Sequence, residues 1–306
     1  MNHRYDFLYL FDCTDANPNG DPDAGNLPRL DPETSQGLVT DVCIKRKIRN
    51  FVQTTRNEPT HQIFVQEKRP LNPLIAQACV ATNIDQYAKP DGKWDGEKTK
   101  KRPQSDIRTL QQWMCGTYFD IRTFGGVLST GPNAGQIRGP IQISFSRSID
   151  RIVTAEHTIT RLTDVDKEEG EMGRKYTIPY GLYKCQGFVN PFLARQTGFS
   201  EGPNTGHPNA EDESDLELLF TALENAFQFD QSAARPAGSM APRKLIIFKH
   251  PNDLGKAPSH KLLEGVTVKR KEGIEVPRSF ADYEVTIPED LRKFCSEQEI
   301  EIIERI

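Results

Sequence analysis

Carboxylates, amides and turn formers crowd a short segment near the N-terminus of this 306-residue chain. Four of them match positions 1, 3, 5 and 6 of the EF-hand calcium template: Asp15, Asn17, Asn19 and Gly20. The twelfth position is Asn26, where the template needs a bidentate Glu, and two prolines interrupt the loop. The pattern therefore favours a structural turn rich in Asn and Asp over a calcium site.

A run of cations follows on a predicted helix from about 40 to 52, and it consists of Lys45, Arg46, Lys47 and Arg49. Thr40 is a good N-cap, and Asp41 suits the first turn. Ile44 and Ile48 lie on an apolar stripe, whereas Asp41, Lys45 and Arg49 recur on another face. A basic run is more often a solvated face, but on a helix it can also bind phosphate groups.

The elements that must position these residues can be predicted from apolar patterns. Strands are predicted at 7–11, 117–122, 141–146 and 244–248, and a second helix is predicted at about 213–229. Two further strands, at 152–162 and 176–189, are predicted to form a long hairpin around a charged turn at 164–173.

The predicted order is β, α, β, β, α, β with large insertions, which is typical of the split βαβ or ferredoxin-like pattern of RNA-recognition modules. We therefore predict an α+β fold. The proline-rich segment 54–116 is predicted to be an insertion between the first part of this fold, 1–53, and its remainder, 117–306. No K/R-G-F-G-F-V-x-F motif is present, so RNA binding would depend on backbone contacts.

Composition excludes several classes of protein. The net charge of −4 argues against a wholly basic nucleic-acid coat, although a basic stripe on an acidic body is compatible with binding. The six cysteines are widely separated with no C-x-x-C pair, which favours free thiols over zinc or disulfides. The sequence contains neither an 18-residue apolar window nor a signal peptide, so we expect a cytoplasmic protein that does not bind membranes.

Five segments, in this order, resemble the backbone subunit of the type I-C CRISPR surveillance complex (Cascade), a member of the Cas-seven family. They are NPNGDPD at 17–23, GLVTD leading into KRKIR at 37–49, DIRTFG at 120–125, MGRKY before PYGLY at 172–183, and GSM at 238–240. The resemblance implies an RNA-recognition-motif (ferredoxin-like) palm with a finger insertion and a thumb β-hairpin at about 152–189.

The same resemblance implies a non-catalytic prokaryotic protein without a cofactor. Copies would polymerise side by side in a helical filament along CRISPR RNA and present its bases for pairing with the target DNA strand in the R-loop. Further partners would be the 5′-end cap, the large subunit and the small subunit of Cascade.

Residues carried over from the resemblance define the expected RNA-binding site: Asn19, Thr40, Lys45, Arg46, Arg49, Met172, Arg174, Lys175, Ser239 and Met240. The first helix would touch phosphates, the hairpin around 172–175 would displace nucleotides at regular intervals, and the loop 236–242 would line the same groove. Met240 is expected either to wedge against a base or to fill an apolar gap.

An enzymatic alternative assigns the Asp-rich loop to a metal-dependent endoribonuclease, because related type III subunits cut RNA from a loop in this region. The candidate ligands or acids are Asp12, Asp15, Asp21 and Asp23. No partner His lies close in sequence, and His157, which lies within a strand pattern, is expected to be packed or hydrogen-bonded rather than catalytic.

Overall fold

The computed structural model describes residues 1–84, 94, 98–99, 101–160, 172–202 and 213–306. The strands are β1 (Tyr5–Ala16), β2 (Gly20–Asp21), β3 (Leu27–Pro28), β4 (Gln36–Val39), β5 (Gly125–Leu128), β6 (Gly135–Arg138), β7 (Ile141–Ile143), β8 (Ser146–Arg151), β9 (Ala155–Thr160), β10 (Met172–Val189), β11 (Met240–Lys249), β12 (Thr267–Arg270), β13 (Tyr283–Thr286) and β14 (Glu301–Arg305). The α-helices are α1 (Asp41–Thr55), α2 (Asn72–Ala81), α3 (Gln104–Thr117), α4 (Phe119–Phe124), α5 (Pro191–Thr197), α6 (Asp215–Glu224), α7 (Ser259–Gly265) and α8 (Glu289–Glu297).

One antiparallel sheet of eight strands organises the molecule. Six strands lie side by side in the order β14-β11-β1-β10-β8-β4. The long strand β10 also pairs with β7 at its C-terminal end and with β9 at its N-terminal end. The protein is therefore a mixed α/β chain with an antiparallel sheet, as the sequence predicted.

Both faces of the central strand β1 are covered. Tyr9 and Phe11 pack with α1 and α6 on one face, where the apolar side chains of those helices form the main core. Leu8 and Leu10 pack on the other face with a C-terminal layer built from α7, α8 and the β12–β13 hairpin. Alternation along the strand produces the two faces, because successive side chains of a strand point in opposite directions.

A third apolar core lies around α2 and α3. It joins Leu74, Leu110 and Met114 to residues of α4 and the β5–β6 hairpin, such as Ile121 and Ile137. This core takes in residues on both sides of position 116, and the boundaries of the insertion at 54–116 stay a prediction.

The predicted strand at 117–122 is wrong, because α3 ends and α4 begins there. Aromatic and β-branched residues are typical of strands, which is why the segment resembled one. In the folded chain Phe119 packs into the main core, whereas Tyr118 and Ile121 pack into the third core. A short helix between two cores is buried on several sides, so its sequence carries no polar periodicity.

Other predicted elements are confirmed with altered bounds. The first strand and the strand at 244–248 lie within β1 and β11, and the two predicted helices correspond to α1 and α6. The single strand predicted at 141–146 is two strands, β7 and β8. The predicted hairpin is formed by β9 and β10, although most of its turn, 161–171, lies outside the described residues.

Candidate nucleic-acid interface

Strand register places three of the segments that carry predicted binding residues at one end of the sheet. β1 ends at Ala16 opposite Ile178 of β10, and β11 begins at Met240 opposite Cys13. β10 extends beyond the end of β1, where Met172–Thr177 pairs only with β9. The loop after β1, the loop before β11 and the β9–β10 hairpin therefore all emerge at the same end.

A hydrogen-bonded cap fixes the start of α1 at this end. The Asn19 side-chain carbonyl accepts hydrogen bonds from the Thr40 backbone N–H at 3.0 Å and the Thr40 hydroxyl at 3.1 Å. The Thr40 hydroxyl in turn accepts a hydrogen bond from the Cys43 backbone N–H at 3.3 Å. Asn19 and Thr40 thus hold a helix N-terminus, whose positive dipole end favours anions.

The loop before β11 is fastened to the end of β1. The Thr14 N–H donates to the Ser239 carbonyl at 2.7 Å, and the Asn17 N–H donates to the Ala234 carbonyl at 3.0 Å. Gly238 has a φ of +78°, a left-handed conformation that glycine adopts without steric cost. Met240 is 6% exposed and belongs to the main core, so its side chain fills an apolar gap, one of the two alternatives predicted.

The hairpin carries the most exposed of the predicted residues. The Arg174 side chain is 70% exposed and pairs with Glu156 at 3.0 Å, whereas Met172 is 72% exposed. Hydrogen bonding to Tyr176 and the charge of Glu156 raise the pKa of Arg174 above its ordinary value. No described carboxylate pairs with Lys175, whose neighbour across the hairpin is His157.

His157 is hydrogen-bonded as predicted, with its Nε2 lying 2.9 Å from the Thr177 hydroxyl. This contact links β9 to β10 at the base of the hairpin. Within the described part of the chain, this hydrogen bond gives His157 a structural role.

The cations of α1 differ from the exposed Arg174 of the hairpin because most of them are largely buried as well as paired. Lys45 pairs with Asp41 at 2.7 Å and Arg49 pairs with Asp120 at 2.8 Å, and these two cations are only 15% and 14% exposed. Both also lie over the Phe124 ring, at 5.7 and 5.2 Å. The more exposed cation, Arg46, is 62% exposed and pairs with a surface glutamate. The predicted phosphate contacts of Lys45 and Arg49 therefore compete with partners in the protein.

The DIRTFG segment forms α4 and ties α1 and α6 together. The buried carboxylate of Asp120 accepts hydrogen bonds from Arg49 and from the backbone N–H groups of Phe64, at 2.8 Å, and Val65, at 3.0 Å. Two residues later, the buried Arg122 guanidinium donates to Asp215 of α6 at 2.8 and 3.0 Å. These buried contacts explain the segment in structural terms.

The Asp-rich loop does not assemble a metal site among the residues that the structure describes. Asp12 is buried in the sheet, where it pairs with Arg243 at 2.8 Å and accepts a hydrogen bond from the Tyr180 hydroxyl at 3.1 Å. Burial raises the pKa of Asp12 above its ordinary value, against the opposing effect of Arg243. Asp21 instead caps a short 3₁₀ helix beyond the end of β1.

Sequence patterns did not predict the inward orientation of Lys47 or the partners that it meets. Lys47 is 1% exposed and pairs with Asp230, which also binds Arg235. Lys47 lies 183 positions from Asp230 along the chain, and the three residues match no motif. A weak signal was the position of Lys47 one residue before the buried Ile48, near the edge of the apolar stripe.

In the part of the chain that the structure describes, every helix is too short or too polar to cross a bilayer.

Comparisons with known proteins agree with one another. A family profile described as CRISPR-associated protein Cas7 matches residues 3–288. The chain is 47% identical over 273 residues to a CRISPR-associated protein Cas7 of Haloferax volcanii, an alignment that covers 81% of this chain and 71% of that protein.

Two solved structures also resemble the chain. A chain of a CRISPR RNA-guided surveillance complex, pre-nicking, aligns with a TM-score of 0.44 at 14% identity, over 80% of this chain and 78% of that one. A chain of another CRISPR RNA-guided surveillance complex aligns with a TM-score of 0.41 at 14% identity, over 98% and 87% of the two chains.

Proposed function

Because the chain belongs to the Cas7 family, we propose that it is a CRISPR RNA-binding backbone subunit of an RNA-guided surveillance complex. The observation that carries this proposal is the family match over residues 3–288. The finer assignment to the type I-C Cascade rests on the sequence motifs alone. In this proposal the protein has a non-enzymatic role in antiviral defence.

The strand order supports an RNA-recognition-like palm. β11-β1-β10-β8 has the order of a split βαβ arrangement, in which the fourth strand lies beside the first and the third lies between the first and second. α1 follows β1, and α6 precedes β11. In this proposal the β9–β10 hairpin is the thumb and the segment 54–116 is the finger.

The covered sheet face favours binding to the RNA backbone instead of base recognition on the sheet. RNA-recognition modules stack bases on aromatic side chains of an open sheet. Here the face that contains Leu8 and Leu10 is packed under the C-terminal layer. Contacts from loop ends and the hairpin would give affinity without sequence preference, which leaves the guide bases free to pair with the target DNA strand.

The hairpin supplies the cations that are available for such contacts. Arg174 and Lys175 extend beyond the end of β1, beside the exposed Met172. The start of α1, held by Asn19 and Thr40, would add a positive helix end, and Ser239 would line the same groove. We propose that Arg46 contributes from α1 more than Lys45 and Arg49 do, because its charge is the most exposed of the three.

Assembly would be head-to-tail along the RNA. A heterologous interface does not close on itself and therefore produces filaments whose length the RNA sets. The partners in this proposal are further copies of the chain, the target DNA strand, the 5′-end cap, and the large and small subunits.

The testing experiment compares two sets of variants on single-stranded RNA. Arg174→Ala with Lys175→Ala is expected to weaken binding and to reduce its salt dependence, because two phosphate contacts are lost. Three variants of the Asp-rich loop are expected to leave RNA binding unchanged: Asp15→Ala, Asp21→Ala and Asp23→Ala. No metal-dependent RNA cleavage is expected that these variants could abolish. Metal-dependent RNA cleavage by the wild type that the Asp variants abolish would replace this proposal with the nuclease alternative.

A further inference from the structure

Lys47 is a cation of α1 whose side chain points into the protein. It is 1% exposed, its Nζ pairs with Asp230, and it lies 5.5 Å from the centre of the Phe227 ring. A buried lysine needs a compensating charge, because desolvation of an unpaired ammonium is costly. Lys47 therefore cannot reach a phosphate from this position.

One carboxylate serves two cations at this point. Asp230 also pairs with Arg235 at 2.9 Å and accepts a hydrogen bond from the Asn50 amide at 3.4 Å. Its side chain is 8% exposed, whereas that of Arg235 is 26% exposed. The cluster of Lys47, Asp230 and Arg235 thus keeps a net positive charge that reaches solvent on the Arg235 side.

The cluster lies at the same sheet end as the candidate interface. Arg235 belongs to the loop before β11, where Ala234 and Ser239 accept backbone hydrogen bonds from the end of β1. These bonds hold the loop to β1, and the ion pair of Lys47 with Asp230 holds the segment 230–239 to α1. The loop is therefore fixed both to the end of β1 and to α1, the helix whose start the proposed function assigns to RNA binding.

We propose that Lys47 and Asp230 are positioning residues of the RNA interface, which lock the segment 230–239 against α1 and orient Arg235 and Ser239 toward the RNA backbone. This inference rests on the proposed function. The physical reason is that a buried ion pair contributes little net stability compared with apolar packing but constrains geometry strongly. Lys47 thus acts on RNA through the loop, whereas Arg235 contacts it.

The test uses Lys47→Met and the double variant Lys47→Met with Asp230→Leu. We expect Lys47→Met to speed amide hydrogen exchange in residues 232–239 and to weaken binding of a short single-stranded RNA about tenfold. The slope of log affinity against log salt should stay unchanged, because no phosphate contact is removed. The double variant, which replaces the pair by apolar groups, should recover thermal stability without recovering RNA affinity.

Two matched variants calibrate these readouts. Arg235→Gln removes a contact, so the salt slope should fall by about 0.7 while exchange stays normal. Lys293→Met changes an exposed lysine of α8 and should alter neither quantity. Because hydrogen exchange is measured without RNA, it tests the locking of the loop even if the wild type fails to bind RNA, which would overturn the proposed function instead.

Three results would overturn the inference. The first is a fall of the salt slope in Lys47→Met with normal exchange, which would make Lys47 a direct contact. The second is unchanged RNA affinity in Lys47→Met. The third is recovery of both stability and RNA affinity in the double variant, which would reduce the pair to a purely structural role.

Discussion

Two regions of the molecule carry the same types of basic residue but use them differently. One is the packed contact between α1 and α4, and the other is the β9–β10 hairpin. On α1, the charges of Lys45 and Arg49 are compensated by Asp41 and Asp120, and both side chains are largely buried. On the hairpin, Arg174 is 70% exposed and Lys175 has no ion-pair partner among the described residues. A basic run in a sequence is therefore not equivalent to a basic surface, because burial and the carboxylates that each cation meets in the fold decide which cations remain available.

Buried and exposed cations therefore contribute to different properties of the protein. Compensated, buried cations set stability and geometry, since removing one partner leaves an unpaired charge in a poorly solvated place. Exposed cations contribute little to stability but attract a polyanion from solution. Each class should respond differently to substitution.

The largest effect is expected for Arg122→Ala, which leaves the fully buried Asp215 without its guanidinium partner. The loss of unfolding free energy should be about 3–5 kcal/mol, as for other broken buried pairs. Urea denaturation followed by circular dichroism measures it. The matched control, Arg46→Ala, breaks an exposed pair and should cost no more than about 1 kcal/mol. Equal losses for the two variants would remove the distinction between the two classes.

A smaller loss is expected for Arg49→Ala, because Asp120 keeps the backbone N–H groups of Phe64 and Val65. We expect about 1–3 kcal/mol of destabilisation from the lost charged hydrogen bond. The same urea titration measures this loss, and RNA titration of the folded variant should give the wild-type salt slope. A slope reduced by about 0.7 with little destabilisation would make Arg49 a phosphate contact after all.

A pH-dependent effect is expected from His61, which lies beside the Arg122–Asp215 pair. Burial, followed by the charge of Arg122, lowers the pKa of His61 below its ordinary value, whereas Asp215 and Glu58 oppose the shift and Arg56 adds to it. Since the unfolded chain then binds the proton more readily, stability falls as the pH drops below about 6.5. His61→Gln should lose less stability than the wild type between pH 7.5 and 5.5 in urea titrations. An identical loss in both proteins would show that His61 does not contribute.

The smallest effect on stability is expected for Arg174→Ala combined with Lys175→Ala. Arg174 is 70% exposed and Lys175 is half-buried on a two-stranded hairpin, so the change should stay within about 0.5 kcal/mol. The salt slope of RNA binding should nevertheless fall by about 1.4, corresponding to two single-strand contacts. An unaltered slope would move the interface away from the hairpin.

Two of the helices that pack on the central sheet could be predicted from periodicity. The apolar stripe containing Ile44 and Ile48 predicts α1, and Leu219 and Leu223 predict α6 in the same way; all four are buried. Thr40 caps α1 as predicted. These elements are amphipathic and bury one face each, so local sequence carries the signal.

Partners at long range could not be predicted in the same way. Lys47 meets Asp230 across 183 positions, and Arg122 meets Asp215 across 93. Such pairs depend on how helices pack, and single residues with no fixed spacing leave no pattern. The C-terminal layer over Leu8 and Leu10 was likewise not predicted, because the alternating pattern of β1 is masked where both faces are buried.

The most direct test of the RNA-binding account is to express the chain with its neighbouring operon proteins and a CRISPR array, purify it, and sequence any bound nucleic acid. The account predicts uniform, repeat-derived RNA in a large particle that contains many copies of the chain. The double hairpin variant of Arg174 and Lys175 should contain much less RNA. A monomer free of nucleic acid would contradict the account and return attention to the Asp-rich loop.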